Sequence, residues 1–305
     1  MANALGTLAP SLVAQRTLDY LKEIFPPALR MFIGFSDAPV LLGQTITTRI
    51  PGSSAAYDAS GGYSAPDLTD ADRPVVASNF KATSIAFTAA ELSSTNRDLV
   101  NEHAAGAANE LASDLIAQLC ALFINANYPT ASQATEEDPA DYDDDTLRAV
   151  RKKLNLRKAT QLGRFGIVNS DVFEALSGDA LVTSIDSNSD AHDDYKLAPM
   201  VLRGFDIIEF PTLPANAIDL NGVFMSAGGV IGATGVPADS NAAGMFDEVP
   251  NVARVETVVD EATGLALLQR LHKTASGGIQ MDLAWVFGFA KGNTPNVELM
   301  RDVQA

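Results

Sequence analysis

The chain is poor in the residues that carry most chemistry: one cysteine, one tryptophan and three histidines in 305 residues, with 21 lysines and arginines against 38 aspartates and glutamates. The single cysteine, Cys120, excludes an intramolecular disulfide framework and fits a reducing compartment. Its apolar neighbours Leu119, Ala121, Leu122 and Phe123 mark it as a core thiol. A formal net charge of -17 argues against coating nucleic acid through phosphate contacts, which needs clustered Lys and Arg. Such a surface keeps a concentrated protein soluble and repels polyanions. Uninterrupted apolar runs are short, so no helix is expected to cross a membrane. The start, Met1 to Gly6, lacks the basic residues and apolar core of a signal peptide.

Candidate chemistry is equally scarce. His103 falls on a helical pattern and reads as a partly exposed helix residue; His272, beside Lys273, reads as a surface strand position. Ser189 to Asp194, with His192 among its carboxylates, has the donor types of a divalent-cation site, but without the spaced glycine and distal glutamate of a calcium loop it reads as a solvated loop. The acidic run Glu136 to Asp145 reads as a linker and helix start. Gly228 to Gly235 does not have GxGxxG spacing and reads as a turn between strands. No Walker loop, serine elbow or paired-cysteine motif is present. The one dense basic cluster, Arg148, Arg151, Lys152, Lys153, Arg157 and Lys158, lacks interleaved aromatics and reads as a solvated helix face or an ion-pair surface between subunits. No catalytic, cofactor-binding or metal-ligating residue is therefore assigned, and no cofactor is expected.

What the sequence does contain is core and pattern. It is 47% hydrophobic and 19% charged, enough apolar content for a substantial core. Leu12 to Phe32 has helical spacing broken at Pro26-Pro27 and reads as an amphipathic arm. Gln44 to Ile50 and Val75 to Phe87 read as two strands flanking a small, polar stretch from Pro51 to Pro74. A two-stranded excursion of that kind is marginal alone in water and needs a partner surface. After cap residues at Ser93 to Asn96, apolar positions from Val100 to Phe123 recur at three and four, predicting a helix to Asn127 of about 45 Å. Thr146 to Leu156 reads as a second helix, with aspartates at its positive end and bases toward its negative end. Gly163 to Asn169 reads as a strand, Ser170-Asp171 as a cap, and Val172 to Leu176 as a helix ended by Gly178. Further strands are predicted at Gly204 to Phe210 and Gly222 to Ser226. From Arg254 a β pattern follows, through a turn at 260–264 to Lys273, and again from Ile279 to Ala290.

This order of parts resembles the major capsid protein of tailed bacteriophages, the Hong Kong 97 fold. Locally, Gly166-Ile167-Val168-Asn169-Ser170-Asp171-Val172-Phe173, then Gly204 to Glu209, then Val223 to Ser226, are similar to the axial portion of that family. The resemblance implies an α+β fold: an N-terminal arm (1–43), an extended two-stranded loop (44–91), a peripheral domain with a long spine helix and β-sheet (92–141 and 245–305), and an α/β axial domain (142–244). It implies self-assembly, as hexamers and pentamers, into an icosahedral shell enclosing double-stranded DNA without sequence-specific binding. The shell would form in the bacterial host cytoplasm and become part of the virion. An acidic surface suits such a container. Expected partners are a separate scaffolding protein, because few residues precede the loop, together with a portal and decoration proteins; no membrane is involved. Subunit-interface candidates are Arg49, Tyr57, Tyr63, Asp67, Asp70, Arg73 and Lys81. Covalently linked members join a loop lysine to a neighbour's asparagine; the tip from Pro51 to Pro74 has no lysine, so a non-covalent shell is expected. Two other readings are an encapsulin-like compartment, for which no cargo-peptide groove is recognisable, and a soluble α/β hydrolase, for which a nucleophile, base and cofactor loop are missing.

Overall fold

Helix α1, Leu99–Cys120, shares one continuous apolar core with two β-sheets. The computed structural model describes residues 17–19, 39–50, 60, 71–88, 99–161, 163–178, 200–237, 252–259, 266–273 and 277–303. At 22 residues, α1 is about 33 Å long. Ala104, Ala107, Ala108 and Ala112 are buried along it beside Leu111, Leu115 and Leu119, and these small side chains leave room for strands to approach closely. The helix stops short of the predicted Asn127. The Asn216 side-chain amide donates to the carbonyls of Cys120 (2.7 Å), which also accepts from the Phe123 N–H, and of Phe123 (3.0 Å), so it ties down the helix end.

The first sheet contains β1 (Pro39–Val40), β4 (Asn79–Phe87), β10 (Val230–Pro237), β11 (Val252–Val259), β12 (Ala266–Lys273) and β13 (Ile279–Lys291). Strand β13 organises it, pairing antiparallel with β4, β10 and β12. Strand alternation divides its side chains: Met281, Leu283, Trp285 and Phe287 enter the α1 core, while Ala284 and Val286 pack in small clusters apart from it.

The second sheet has the order β5 (Ala134–Glu136), β14 (Val297–Arg301), β9 (Leu220–Met225), β6 (Phe165–Val168), β8 (Phe205–Glu209), β7 (Met200–Leu202). Val223 and Met225 of β9 join the α1 core, whereas Phe224 between them joins a second core with α3 (Asp144–Leu156) and α4 (Ser170–Gly178). That second core holds Leu147, Val150 and Leu154 of α3 and Val172 and Leu176 of α4. A short helix α2, Thr130–Gln133, precedes β5. Gly166 is dictated by packing, since a Cβ there would lie 2.5 Å from the Phe224 ring.

Several expectations change. The single returning strand Val75 to Phe87 is two strands: β3, Ala71–Val76, pairs with β2, Thr45–Ile50, and β4 then pairs with β13. The switch occurs at Ala77, whose N–H donates to Gln44 and whose carbonyl accepts from Gly43, closing the hairpin ladder. The pairing also cuts across the expected boundaries. Strand β10, inside 142–244, belongs to the first sheet, where the small residues Gly232, Ala233 and Gly235 fit a fully buried strand; β14, inside 245–305, belongs to the second. The glycine run 228–235 is therefore mostly strand, not turn. The cap of α4 is Asn169, whose Oδ1 accepts from the Val172 N–H at 3.0 Å, not Ser170-Asp171. The Glu136 to Asp145 linker begins inside β5 and includes a 3-10 turn at Pro139–Asp141.

Candidate assembly surface

The hairpin β2–β3 is seated at its base and exposed beyond it. Val75 is fully buried in a cluster with Ile231 and Ala233, and Ala77 packs with Val40 and Val286; Ile46 touches both groups. These contacts lie against β10 and β13. Burying residues the size of Val75 contributes roughly 1.5–3 kcal/mol each, which a free hairpin would lack. Outward, Thr45, Asp72, Arg73, Pro74 and Val76 are exposed, as are Leu41 and Leu42 at the preceding turn and Phe80 at the start of β4. Closest approach occurs at Gly288, where an added Cβ would come within 1.9 Å of the Val76 carbonyl oxygen.

The expected interface residues divide accordingly. Arg73 is exposed on β3; Arg49 lies on β2 in register with Asp72. Tyr57, Tyr63, Asp67 and Asp70 lie outside the described residues, as do His192, the Ser189 to Asp194 loop, the cap residues Ser93 to Asn96 and most of the arm. Lys81 is not on the hairpin. It sits on β4, with its Nζ 2.9 Å from Asp114 of α1, and fastens this chain's own helix to its own sheet.

Half of the basic cluster is likewise spent within the chain. Glu298 of β14, fully buried, is held by Arg157, by Lys153 (3.3 Å) and by the Thr135 hydroxyl (2.8 Å). Arg203 chelates the buried Asp144, and Arg148 pairs with Asp144 and Asp145. The Arg203 hydrogen bonds, opposed by burial and assisted by the charges of Arg203 and Arg148, hold the Asp144 carboxyl below its usual range. Arg151, Lys152 and Lys158 remain exposed.

The histidines have structural partners that their sequence context did not show. His103 meets Phe87 edge-on, with ring centroids 5.2 Å apart. His272 Nε2 lies 2.8 Å from Asp282, which also accepts from Ser84 (2.6 Å) and Gln280 (2.9 Å). Burial opposes ionisation of Asp282, yet these hydrogen bonds and His272 together hold its carboxyl low. Strand register explains the grouping: Ser84 faces Asp282 across β4–β13, and His272 faces Gln280 across β12–β13. Serine and histidine both address the carboxylate and not each other, so the group is a cross-strand tie without a nucleophile–base pair. Among the described residues no cluster of three or more His, Cys, Asp or Glu is arranged to hold a metal, and no helix is long and apolar enough to cross a membrane.

No family model and no curated protein matches the sequence. Solved structures do match. A chain of Mycobacterium phage Che8 superposes with a TM-score of 0.52 at 17% identity, covering 85% of this chain and 84% of that one. A chain from the capsid structure of cyanophage P-SCSP1u gives 0.53 at 11% identity over 91% and 87%. One from the capsid of Ralstonia phage GP4 gives 0.53 at 10% over 89% and 85%. With a hairpin seated on one sheet, a long helix bridging two and helices backing the second, the chain has the fold of phage capsid proteins, the Hong Kong 97 fold that its sequence resembles.

Proposed function

We propose that this chain is a major capsid protein, many copies of which assemble into an icosahedral shell around a phage double-stranded DNA genome. The observation that carries this reading is the fold match over most of the chain's length to capsid chains. The exposed hairpin gives the reading a physical means. Its base is fixed to the first sheet, so its outer part can lie on a neighbour, and weak contacts repeated around a closed shell add up. The role is structural, and the encapsulin-like and hydrolase readings gain no support from the matches. The finer parts of the proposal are hexamers and pentamers as building rings, a separate scaffolding protein, a portal, decoration proteins, assembly in the host cytoplasm, and an axial domain centred on the second sheet with a peripheral domain centred on the first. Arg49, Tyr57, Tyr63, Asp67, Asp70 and Arg73 are proposed as hairpin contacts. Lys81, tied to Asp114, is the weakest of the interface candidates, which fits a shell held without covalent links.

The test replaces Pro51–Asp70 by a two-residue Asn-Gly turn, which suits the antiparallel register of Ile50 with Ala71. Electron microscopy should show shells from the parent chain, expressed alone or with its scaffolding partner, and only soluble, folded subunits from the variant. Normal shells from the variant would sink the role given to the hairpin. Particles filled with protein and not DNA would favour an encapsulin, and a ladder of linked subunits on a denaturing gel would refute the non-covalent joint.

A further inference from the structure

Helix α3 carries opposite charge at its two ends, and one end is left unneutralised. Before it and in its first turn stand Asp143, Asp144 and Asp145; in its middle and last turns stand Arg148, Arg151, Lys152 and Lys153. Arg148 and Lys153 are engaged by Asp144, Asp145 and Glu298, whereas Arg151 and Lys152 make no hydrogen bond or ion pair among the described residues. These two line a concavity of about 380 Å³ with Arg148, Asn155, Leu156 and Arg203. Leu156 is 73% exposed there, an apolar side chain set among cations. An occupant matching this lining would carry carboxylates on either side of a small apolar group.

The chain itself has such a segment. Glu137-Asp138-Pro139-Ala140-Asp141 places carboxylates on both sides of Pro139-Ala140, with Asp138, Ala140 and Asp141 exposed on the 3-10 turn Pro139–Asp141. The turn packs against α4, and its carboxylates, with Asp302, make the surroundings of the Tyr142 hydroxyl negative. It cannot fill the concavity of its own chain. It enters α3 at the N-terminus, while Arg151 and Lys152 lie about 11 Å further along the helix axis.

We propose that the Glu137–Asp141 turn of one copy docks into the Arg151–Lys152–Leu156 concavity of the next. This rests on the shell reading and names one contact within it. Two unlike patches on identical chains pair either reciprocally across a two-fold axis, which stops at a dimer, or head to tail, and only the head-to-tail arrangement builds the rings that the shell reading needs. Each copy then offers one free patch of each sign, and the series closes as a ring around the second-sheet units. The pairing also offsets like-charge repulsion in a chain of net charge -17, by spending unneutralised cations where copies meet.

Two measurements test it. Particles assembled from isotope-labelled and unlabelled chains are treated with a carbodiimide, which condenses a lysine amine with a touching carboxylate; mixed-label peptides joining Lys152 to Glu137, Asp138 or Asp141 are expected. The pairs R151E/K152E and E137K/D141K should each raise the concentration needed for assembly by about tenfold or more, and the four-residue combination should restore it. If either pair assembles like the parent, or the combination fails although circular dichroism shows it folded, this contact is overturned while the shell reading stands. A parent chain that forms no particles even with its scaffolding partner overturns the shell reading and this contact with it.

Discussion

Gly288 of β13 and Val76 of β3 meet backbone to backbone: a Cβ on Gly288 would lie 1.9 Å from the Val76 carbonyl oxygen and 3.0 Å from the Ala77 Cα. This contact seats the hairpin on the first sheet. Both partners are main chain, so neither can give way by changing rotamer. Gly288→Ala should lower stability by about 1–3 kcal/mol, the range for overpacking a filled site. It should also speed amide exchange at Gly43 and Ala77, whose hydrogen bonds close the ladder beside it. An unchanged denaturation midpoint and unchanged exchange would show that the contact does not hold the hairpin.

Glu298 is a carboxylate with no exposed side-chain area, and Arg157 is its closest cation. Removing Arg157 leaves a buried charge short of a partner, so Arg157→Ala should cost about 3 kcal/mol in chemical denaturation. Glu298→Gln should cost less, because the Thr135 hydroxyl still has an acceptor and the two cations reach solvent. The reverse order would mean that Glu298 is held by something other than these ion pairs.

Asp144 supplies an acid-sensitive part of the stability. Arg203 depresses its folded pKa below the ordinary 3.8, so the stabilisation is complete above that value. It is lost as the pH falls through the folded value, where the carboxylate takes up a proton. Asp144→Asn should be less stable than the parent at neutral pH and lose less on acidification. Parallel stability curves for the two proteins from neutral pH down to about pH 2 would contradict this.

Cys120 is buried in the α1 core, and burial pushes its thiol up to about 12. The thiolate is the reactive form, so the native chain should resist a thiol-specific disulfide reagent near pH 8 and react with it once unfolded. Rapid modification of the folded chain would place Cys120 outside the core.

The parts of the fold that depend on one segment's own periodicity were legible in the sequence. The helix through Leu111, Leu115 and Leu119, the α3 polarity from Asp143 to Lys153, and the strands around Ile167, Ile207 and Val223 all carry their pattern locally. Short strands such as β1, β5 and β7 were not legible, since two or three residues hold no period. Nor was β10, whose side chains are buried throughout and so do not alternate.

The assembly surface divides in the same way. Composition marked Pro51 to Pro74 as a stretch with little to bury, and the scarcity of His, Cys and clustered Lys pointed away from chemistry and toward architecture. Only tertiary structure decided that Lys81 serves its own helix, that His272 is tied to Asp282, and that Arg151 and Lys152 alone of the α3 bases in its concavity stay unneutralised. Backbone periodicity is a property of neighbours in sequence, so the chain announces it. Ion pairs and sheet membership join residues far apart in the chain, as Arg157 with Glu298 and β4 with β13. Those partners are chosen by which surfaces folding brings together.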